Sequence, residues 1–195
     1  MLDKSPLQQQ SADSEISVFL MLDPTSLKAV EPLARRCQVL TGTLPFVPHL
    51  TMYFGKGNPR RGKKPLVDSI GSAFQPITLK ISKVAGNSGF WRAFYLQLEN
   101  GSQLEKLDHK LKSELEDYGG FDYFPHVSLV YKSDLADAER GECESFVEAA
   151  LVHSRIHQLT FDRISVFQRA HVTDRWEDAA CWQEVASSDL NGEKS

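Results

Sequence analysis

A repeated segment is the strongest constraint on how this chain of 195 residues can fold. The segment FVPHLTMY begins at Phe46, and the related segment YFPHVSLVY begins at Tyr123. In each copy a proline favours an extended backbone, and a histidine and a hydroxyl residue then alternate with aliphatic residues. Successive side chains of a β-strand point to opposite faces, so each histidine shares a face with the hydroxyl two positions later. We therefore expect two similar strands, each of which presents one histidine and one hydroxyl.

Hydrophobic periodicity around these segments predicts a regular succession of strands and helices. The predicted strands span residues 16–22, 49–54, 77–84, 90–98, 126–131, 156–168 and 181–186. The predicted helices span residues 24–39, 66–73, 102–118 and 134–152. The order β-α-β-α-β-β-α-β-α-β-β has one motif strand in each half and predicts an α+β fold. We expect a bilobal, duplicated unit in which two antiparallel sheets face each other across a central cleft, with the helices outside.

The boundaries of the folded region are predicted from local composition. Ser102 and Glu105 have the spacing of a capping box at the start of the helix at residues 102–118, and the glycine pair at 119–120 is expected to end it. Both termini are polar and are expected to be disordered. The predicted organisation is a tail at residues 1–15, a single domain at 16–186 and a tail at 187–195.

Composition narrows the class of function. A net charge of −4 argues against a surface that coats long nucleic acid, but it is compatible with a small anionic ligand. The three cysteines are widely spaced and odd in number, so they predict reduced thiols and not a disulfide framework or a zinc site. No stretch has the length and hydrophobicity of a membrane span or a signal sequence. We expect a soluble cytoplasmic protein with no membrane attachment and no obligate protein partner.

The two motifs contain the groups for acid/base chemistry on a phosphate ester. The side chain of histidine titrates near neutral pH, so His49 and His126 can begin a reaction in opposite protonation states. Thr51 and Ser128 can donate hydrogen bonds to the non-bridging phosphate oxygens. We expect these four residues to be catalytic, without a metal ion or cofactor, because hydroxyl groups are poor ligands for transition metals and no carboxylate accompanies either motif.

These paired motifs resemble the 2H phosphoesterase superfamily, which is named for two His-x-Thr/Ser motifs. The segments around His49 and His126 are most similar to the cyclic phosphodiesterases of plants and fungi, as are the first strand at 17–19 and the last at 182–186. The resemblance implies a bilobal fold, no cofactor, and hydrolysis of 2′,3′-cyclic nucleotides to nucleoside 2′-phosphates. Hydrolysis of ADP-ribose 1″,2″-cyclic phosphate, a by-product of tRNA splicing, to the 1″-phosphate is the other implied reaction.

The resemblance also implies substrate contacts outside the motifs. Phe19 matches an aromatic residue at the cleft wall, and Tyr131 matches a tyrosine that follows the second motif. We expect either ring to stack on a base or ribose. The basic loop after the first motif, which includes Arg60 and Arg61, is a departure from the plant pattern and is a candidate for binding phosphates.

Three alternatives stay open at this point. The preferred substrate is a small ribose cyclic phosphate, with a 2′,3′-cyclic phosphate at an RNA 3′ end as the runner-up, in which case Arg60 and Arg61 would bind the strand. A non-catalytic nucleotide-binding module would use the same cleft. We expect His126 to be the base and His49 the acid, although the similarity of the two motifs also permits the reverse.

Overall fold

The computed structural model describes residues 15–55, 58–116, 118, 123–169 and 182–192. Within these ranges the chain forms seven strands and four helices in the predicted order. The elements are β1 (Ile16–Leu22), α1 (Pro24–Thr41), β2 (His49–Gly55), α2 (Lys63–Gly71), β3 (Ile77–Ala85), β4 (Phe94–Leu98), α3 (Ser102–Glu114), β5 (His126–Val130), α4 (Asp137–Ser154), β6 (Gln158–Arg169) and β7 (Trp182–Asp189). A 3₁₀ turn at Phe90–Arg92 replaces the start of the strand predicted at 90–98.

All strand pairs are antiparallel, which confirms the α+β prediction. One half of the sheet has the order β2-β1-β6-β7, and the other half has the order β5-β4-β3-β6. The long strand β6 belongs to both halves because β3 pairs with its residues 158–161 and β7 with its residues 163–169. A single pair, Leu50 with Val127, joins β2 to β5 at the other end. The two sheets expected from the sequence are therefore joined into one continuous seven-stranded sheet among the described residues.

A single buried cluster connects the two halves, and it includes residues from every strand and every helix named above. The helix α1 begins where Asp23 accepts a hydrogen bond from the backbone N–H of Ser26 at 2.6 Å, which is N-cap geometry, and it ends at Gly42 with a φ of 65°. Cys37 on α1 and Cys143 on α4 are both fully buried and free. Cys181 lies outside the described residues.

Helix α3 begins at Ser102 as predicted, but its predicted capping box and its predicted end at residue 118 are wrong. The N-cap residue is Gly101, which has no side chain to cap the helix. The carboxylate of Glu105 accepts a hydrogen bond from Asn100, and Ser102 and Glu105 do not form the predicted capping box. The helix ends at Glu114 because Leu115 is extended and pairs with Pro59. The glycine pair at 119–120 lies outside the described residues.

The predicted tail at 187–195 is ordered through residue 192. Strand β7 extends to Asp189, and Leu190 is 3% exposed in the core. Asn191 and Gly192 donate backbone hydrogen bonds to the carbonyls of Gly71 and Phe74. One apolar residue in a polar segment thus anchors the chain against α2, a long-range contact that local composition does not reveal. Residues 1–14 and 193–195, the remainder of the predicted tails, lie outside the described residues.

Across the described ranges, no helix is long and apolar enough to cross a membrane.

Candidate active site

The two motif strands lie side by side. Leu50 of β2 pairs with Val127 of β5, and both side chains are fully buried on the core side. Neighbouring residues point to the opposite face, and this register sets His49 across from Ser128 and Thr51 across from His126. Typical antiparallel spacing puts diagonal partners about 7 to 8 Å apart. The single pairing between the halves therefore brings both motifs onto one face.

This face borders a cavity of about 810 Å³. His49, Thr51 and His126 line the cavity. Eight further lining residues are Phe, Tyr or Trp, so the walls are largely aromatic. A volume of this size lies within the range of roughly 300 to 1,000 Å³ that small-molecule sites occupy.

Both imidazoles are held by the same local hydrogen bond. Nδ1 of His49 lies 2.7 Å from the carbonyl oxygen of Val47, and Nδ1 of His126 lies 2.7 Å from that of Phe124. A carbonyl can only accept, so Nδ1 is the protonated nitrogen in each ring. This tautomer leaves Nε2 as the atom that takes or gives a proton. The proline between each histidine and its carbonyl partner restricts the backbone that makes this bond.

The electrostatic surroundings of the two histidines differ. Burial lowers the pKa of His49 to about 4, against the opposing effect of the Val47 carbonyl, and the nearby His126 lowers it further. The pKa of His126 is also lowered, chiefly by burial, and Arg92 contributes to the decrease while the Phe124 carbonyl opposes it. Both rings therefore favour the neutral form more than an exposed histidine does.

Aromatic contacts explain this burial. The ring of Phe19 stacks on that of His49 with centroids 3.8 Å apart, and the ring of Phe167 also packs against Phe19 at 5.0 Å. Tyr131 stacks on Phe46 at 4.1 Å. Burial raises the pKa of the Tyr131 hydroxyl to about 12, against the effect of a hydrogen bond with Ser128. The structure thus places both predicted aromatic residues in the cavity wall, and Phe19 touches the imidazole directly.

The two motif hydroxyls are not equivalent. Thr51 lines the cavity and is partly exposed, whereas Ser128 is 2% exposed and donates a hydrogen bond to the carbonyl of Trp91 at 3.1 Å. Ser128 therefore supports the 3₁₀ turn that carries Trp91.

Arg60 and Arg61 are exposed and do not line the cavity. The backbone N–H of Arg60 donates to the carbonyl of Glu114, and Arg61 contributes to a lowered pKa of the Glu114 carboxyl, whose main cause is Lys110. The structure attaches this part of the basic loop to the end of α3 and not to the histidines. Residues 56 and 57, which precede this part of the chain, lie outside the described residues.

Several lining residues carry no motif and were missed from the sequence. They come from β2, from the 3₁₀ turn after β3, and from β6 and β7: Phe54, Trp91, Arg92, Arg163, Trp182 and Glu184. Two adjacent aromatic residues, Phe90 and Trp91, lie between a glycine-rich turn and the strand β4. This pattern is a local sequence signal for a functional hairpin tip. The remaining positions depend on long-range packing. No group of three His, Cys, Asp or Glu residues in the described part of the chain is arranged to hold a metal ion.

Comparisons with known proteins show the family of this chain. The family model of the 2′-5′ RNA ligase superfamily matches residues 23–173. The chain belongs to this superfamily of 2H phosphoesterases, as the paired motifs predict. The superfamily consists of phosphoesterases and ligases, so the chain belongs to a class of enzymes that act on phosphodiester bonds. A search among curated proteins gives no significant match.

Solved structures show the same fold at low sequence identity. TT0787 of Thermus thermophilus is 15% identical, with a TM-score of 0.56 over 92% of this chain and 100% of that one. Escherichia coli LigT in its apo form is 11% identical, with a TM-score of 0.55 over 92% of this chain and 99% of LigT. LigT complexed with 3′-AMP is 10% identical, with a TM-score of 0.52 over 91% and 98% of the two chains.

Proposed function

We propose that the protein hydrolyses a ribose cyclic phosphate by two-histidine acid/base catalysis. The observation that supports this most directly is the paired placement of His49 and His126, each with Nδ1 bound to a carbonyl, in the wall of one cavity. The proposed substrates are a 2′,3′-cyclic nucleotide, which gives the nucleoside 2′-phosphate, and ADP-ribose 1″,2″-cyclic phosphate, which gives the 1″-phosphate. Among subfamilies, the cyclic phosphodiesterases of plants and fungi are the proposed relatives.

One histidine removes a proton from water as the water oxygen attacks phosphorus. The bond from phosphorus to the ribose oxygen breaks, and the other histidine protonates that oxygen. Thr51 donates a hydrogen bond to a non-bridging oxygen, where negative charge increases in the transition state. The proton gained by the base and the proton lost by the acid are restored by exchange with solvent.

The low pKa of His49 supports its assignment as the base. A base must be neutral when the substrate arrives, and the pKa of His49, about 4, keeps it so at neutral pH. His126 is then the acid, and the negative charge of a bound phosphate favours its protonated form. This assignment reverses the one expected from the sequence.

The aromatic wall supports a nucleotide as the substrate. The Tyr131 and Phe46 rings border the cavity, and flat π-faces of this kind can stack on a base. E. coli LigT, which shares the fold, has been crystallised with 3′-AMP and with phosphate. These two observations support a site for a phosphate next to a nucleoside.

The test is hydrolysis of 2′,3′-cyclic AMP by the full chain, followed by chromatography, in parallel with ADP-ribose 1″,2″-cyclic phosphate. Turnover should survive EDTA and be lost in the double variant H49N/H126N. Nucleotide binding without turnover of either compound would contradict the proposal and favour a binding module. Loss of activity in EDTA with recovery on addition of zinc would contradict the metal-independent mechanism.

An RNA 3′ end with a 2′,3′-cyclic phosphate is the second candidate substrate. The exposed positions of Arg60 and Arg61 favour it, because a strand that leaves the cavity can meet charges that a mononucleotide does not reach. Under this alternative the variant R60Q/R61Q slows turnover of a short RNA and weakens its salt dependence, while turnover of 2′,3′-cyclic AMP is unchanged. Equal turnover of RNA by the wild type and the variant would exclude a role for these arginines.

A further inference from the structure

The 3₁₀ turn before β4 is a built part of the cavity and not a loose hairpin tip. Two hydrogen bonds to the turn itself and two to its flanking residues hold it. On the side of β5, the hydroxyl of Ser128 donates to the carbonyl of Trp91, and the backbone N–H of Lys132 donates to the carbonyl of Phe90. From α4, Arg140 donates to the carbonyls of Ala93 at 2.7 Å and Asn87 at 3.2 Å.

Gly86 makes the α4 contact possible. A Cβ at this position would lie 2.2 Å from both the Ala93 carbonyl oxygen and an Nη1 atom of Arg140, so a larger residue would displace the arginine. The turn is therefore fixed relative to the sheet.

This turn places Arg92 beside His126. The guanidinium of Arg92 lies over the ring of Phe124, with Cζ 4.7 Å from the centroid. The Phe124 ring is in turn 5.4 Å from the ring of His126, and its carbonyl accepts the Nδ1 hydrogen bond. Arg92 also lines the cavity. Phe124 therefore orients both the imidazole of His126 and the guanidinium of Arg92.

The formal charges around the cavity favour binding of an anion near Arg92 and His126. The lining residues with formal charge are Arg92, Arg163 and Glu184, and the other titratable lining groups are His49, His126 and Tyr131. Glu184 lies 3.7 Å from Arg163, so the negative charge is near the far arginine on β6. Of the two arginines that line the cavity, Arg92 is the one whose charge contributes to the lowered pKa of His126.

We propose that Arg92 is an anion-binding catalytic residue, whose guanidinium binds a non-bridging oxygen of the substrate phosphate beside His126. The ligand class is a cyclic phosphodiester monoanion or the phosphate monoester formed from it, and the role rests on the proposed function. Arginine suits this position because its planar N–H groups can contact two phosphate oxygens at once. The same contact stabilises the charge that develops on those oxygens during attack.

The test compares R92M, an uncharged and unbranched side chain that can still pack against Phe124, with R92K, which keeps the charge. R92M should lower kcat/KM for 2′,3′-cyclic AMP by about 10²-fold, the typical effect of removing one donor to a developing oxyanion. R92K should recover part of this loss. The control is R35M, which removes one positive charge from the exposed Arg35–Glu31 pair on α1 and should leave kcat/KM unchanged. Melting temperatures of all variants show whether each is folded.

A second readout does not depend on turnover. In an NMR titration, R92M should raise the pKa of His126 in the absence of ligand, because a nearby positive charge is lost. Addition of inorganic phosphate should raise the pKa of His126 more in the wild type than in R92M. If the wild type shows this phosphate effect and R92M does not, but no cyclic phosphate is hydrolysed, the proposed function fails and the role of Arg92 in binding stands. If the wild type is active and folded R92M keeps the same kcat/KM and phosphate affinity, the role of Arg92 is wrong.

Discussion

His49 should make the folded protein sensitive to mild acid. Its pKa is about 4 in the folded protein, compared with an ordinary value of 6.5. Between these values the unfolded chain binds the proton and the folded protein does not, so the free energy of unfolding falls as the pH falls. The stabilisation is fully present above pH 6.5 and is progressively lost down to pH 4.

The size of the effect follows from the shift. At pH 5, proton linkage for a change from 6.5 to 4 gives a loss of about 2 kcal/mol relative to high pH, and partial exposure of the ring reduces this to about 1 to 2 kcal/mol. His126 contributes in the same direction because its pKa is also lowered. A comparison in which only His49 changes is therefore needed.

The variant H49N provides this comparison, because the amide N–H of asparagine can replace Nδ1–H as the donor to Val47 but does not titrate. Urea unfolding at pH 7.5 and pH 5.0, followed by circular dichroism, measures the free energy of unfolding. The wild type should lose about 1 to 2 kcal/mol more than H49N between the two pH values. The matched control is H157N, since His157 makes the same bond to the carbonyl of Arg155 but is exposed, and its acid sensitivity should equal that of the wild type. Equal losses in wild type and H49N would refute the reasoning.

Three further predictions concern catalysis. Replacement of His49 or His126 by alanine should lower turnover of 2′,3′-cyclic AMP by roughly 10² to 10⁴ without a large decrease in melting temperature, and a mild effect from both would remove them from the site. T51V should lower kcat/KM by about 10²-fold while T51S keeps most of the activity, because Thr51 lines the cavity and its hydroxyl is the proposed donor to the phosphate. Equal activity of T51V and T51S would contradict this role. F19A should raise the pKa of His49, because water then reaches the face of the imidazole that Phe19 covers. The acid limb of the kcat/KM profile should then move to higher pH. An unchanged acid limb would show that Phe19 does not bury the imidazole.

The order of the elements could be predicted from the sequence because it depends on local signals. The alternation around His49 and His126 and the apolar spacing of the helices are visible within short windows. The same windows misplace the end of α3, since Leu115 leaves the helix to pair with Pro59, far away in the sequence. The same windows predict a disordered tail from residue 187, because they do not show that the side chain of Leu190 is buried in the core.

The candidate site was predictable only where a motif marks it. The two histidines and Thr51 lie where the repeat places them, and the Leu50–Val127 pair brings the two copies together. Arg92 was missed because nothing in its local sequence says that its turn packs over β5. Arg60 and Arg61 are predicted from their charge, and charge does not indicate that their loop packs against the end of α3.

The repeat accounts for the likeness of the two histidines, and their unshared neighbours account for the difference between them. The same hydrogen bond to a carbonyl two residues earlier holds His49, His126 and the exposed His157, so this bond alone does not make a catalytic group. What separates His49 is the stacked ring of Phe19, which excludes water from the imidazole and favours its neutral form. His126 instead has Arg92 nearby, which favours an anion at the same place. A bound phosphate offsets the unfavourable interaction between Arg92 and a protonated His126, so substrate binding itself would prepare the acid while His49 stays a base.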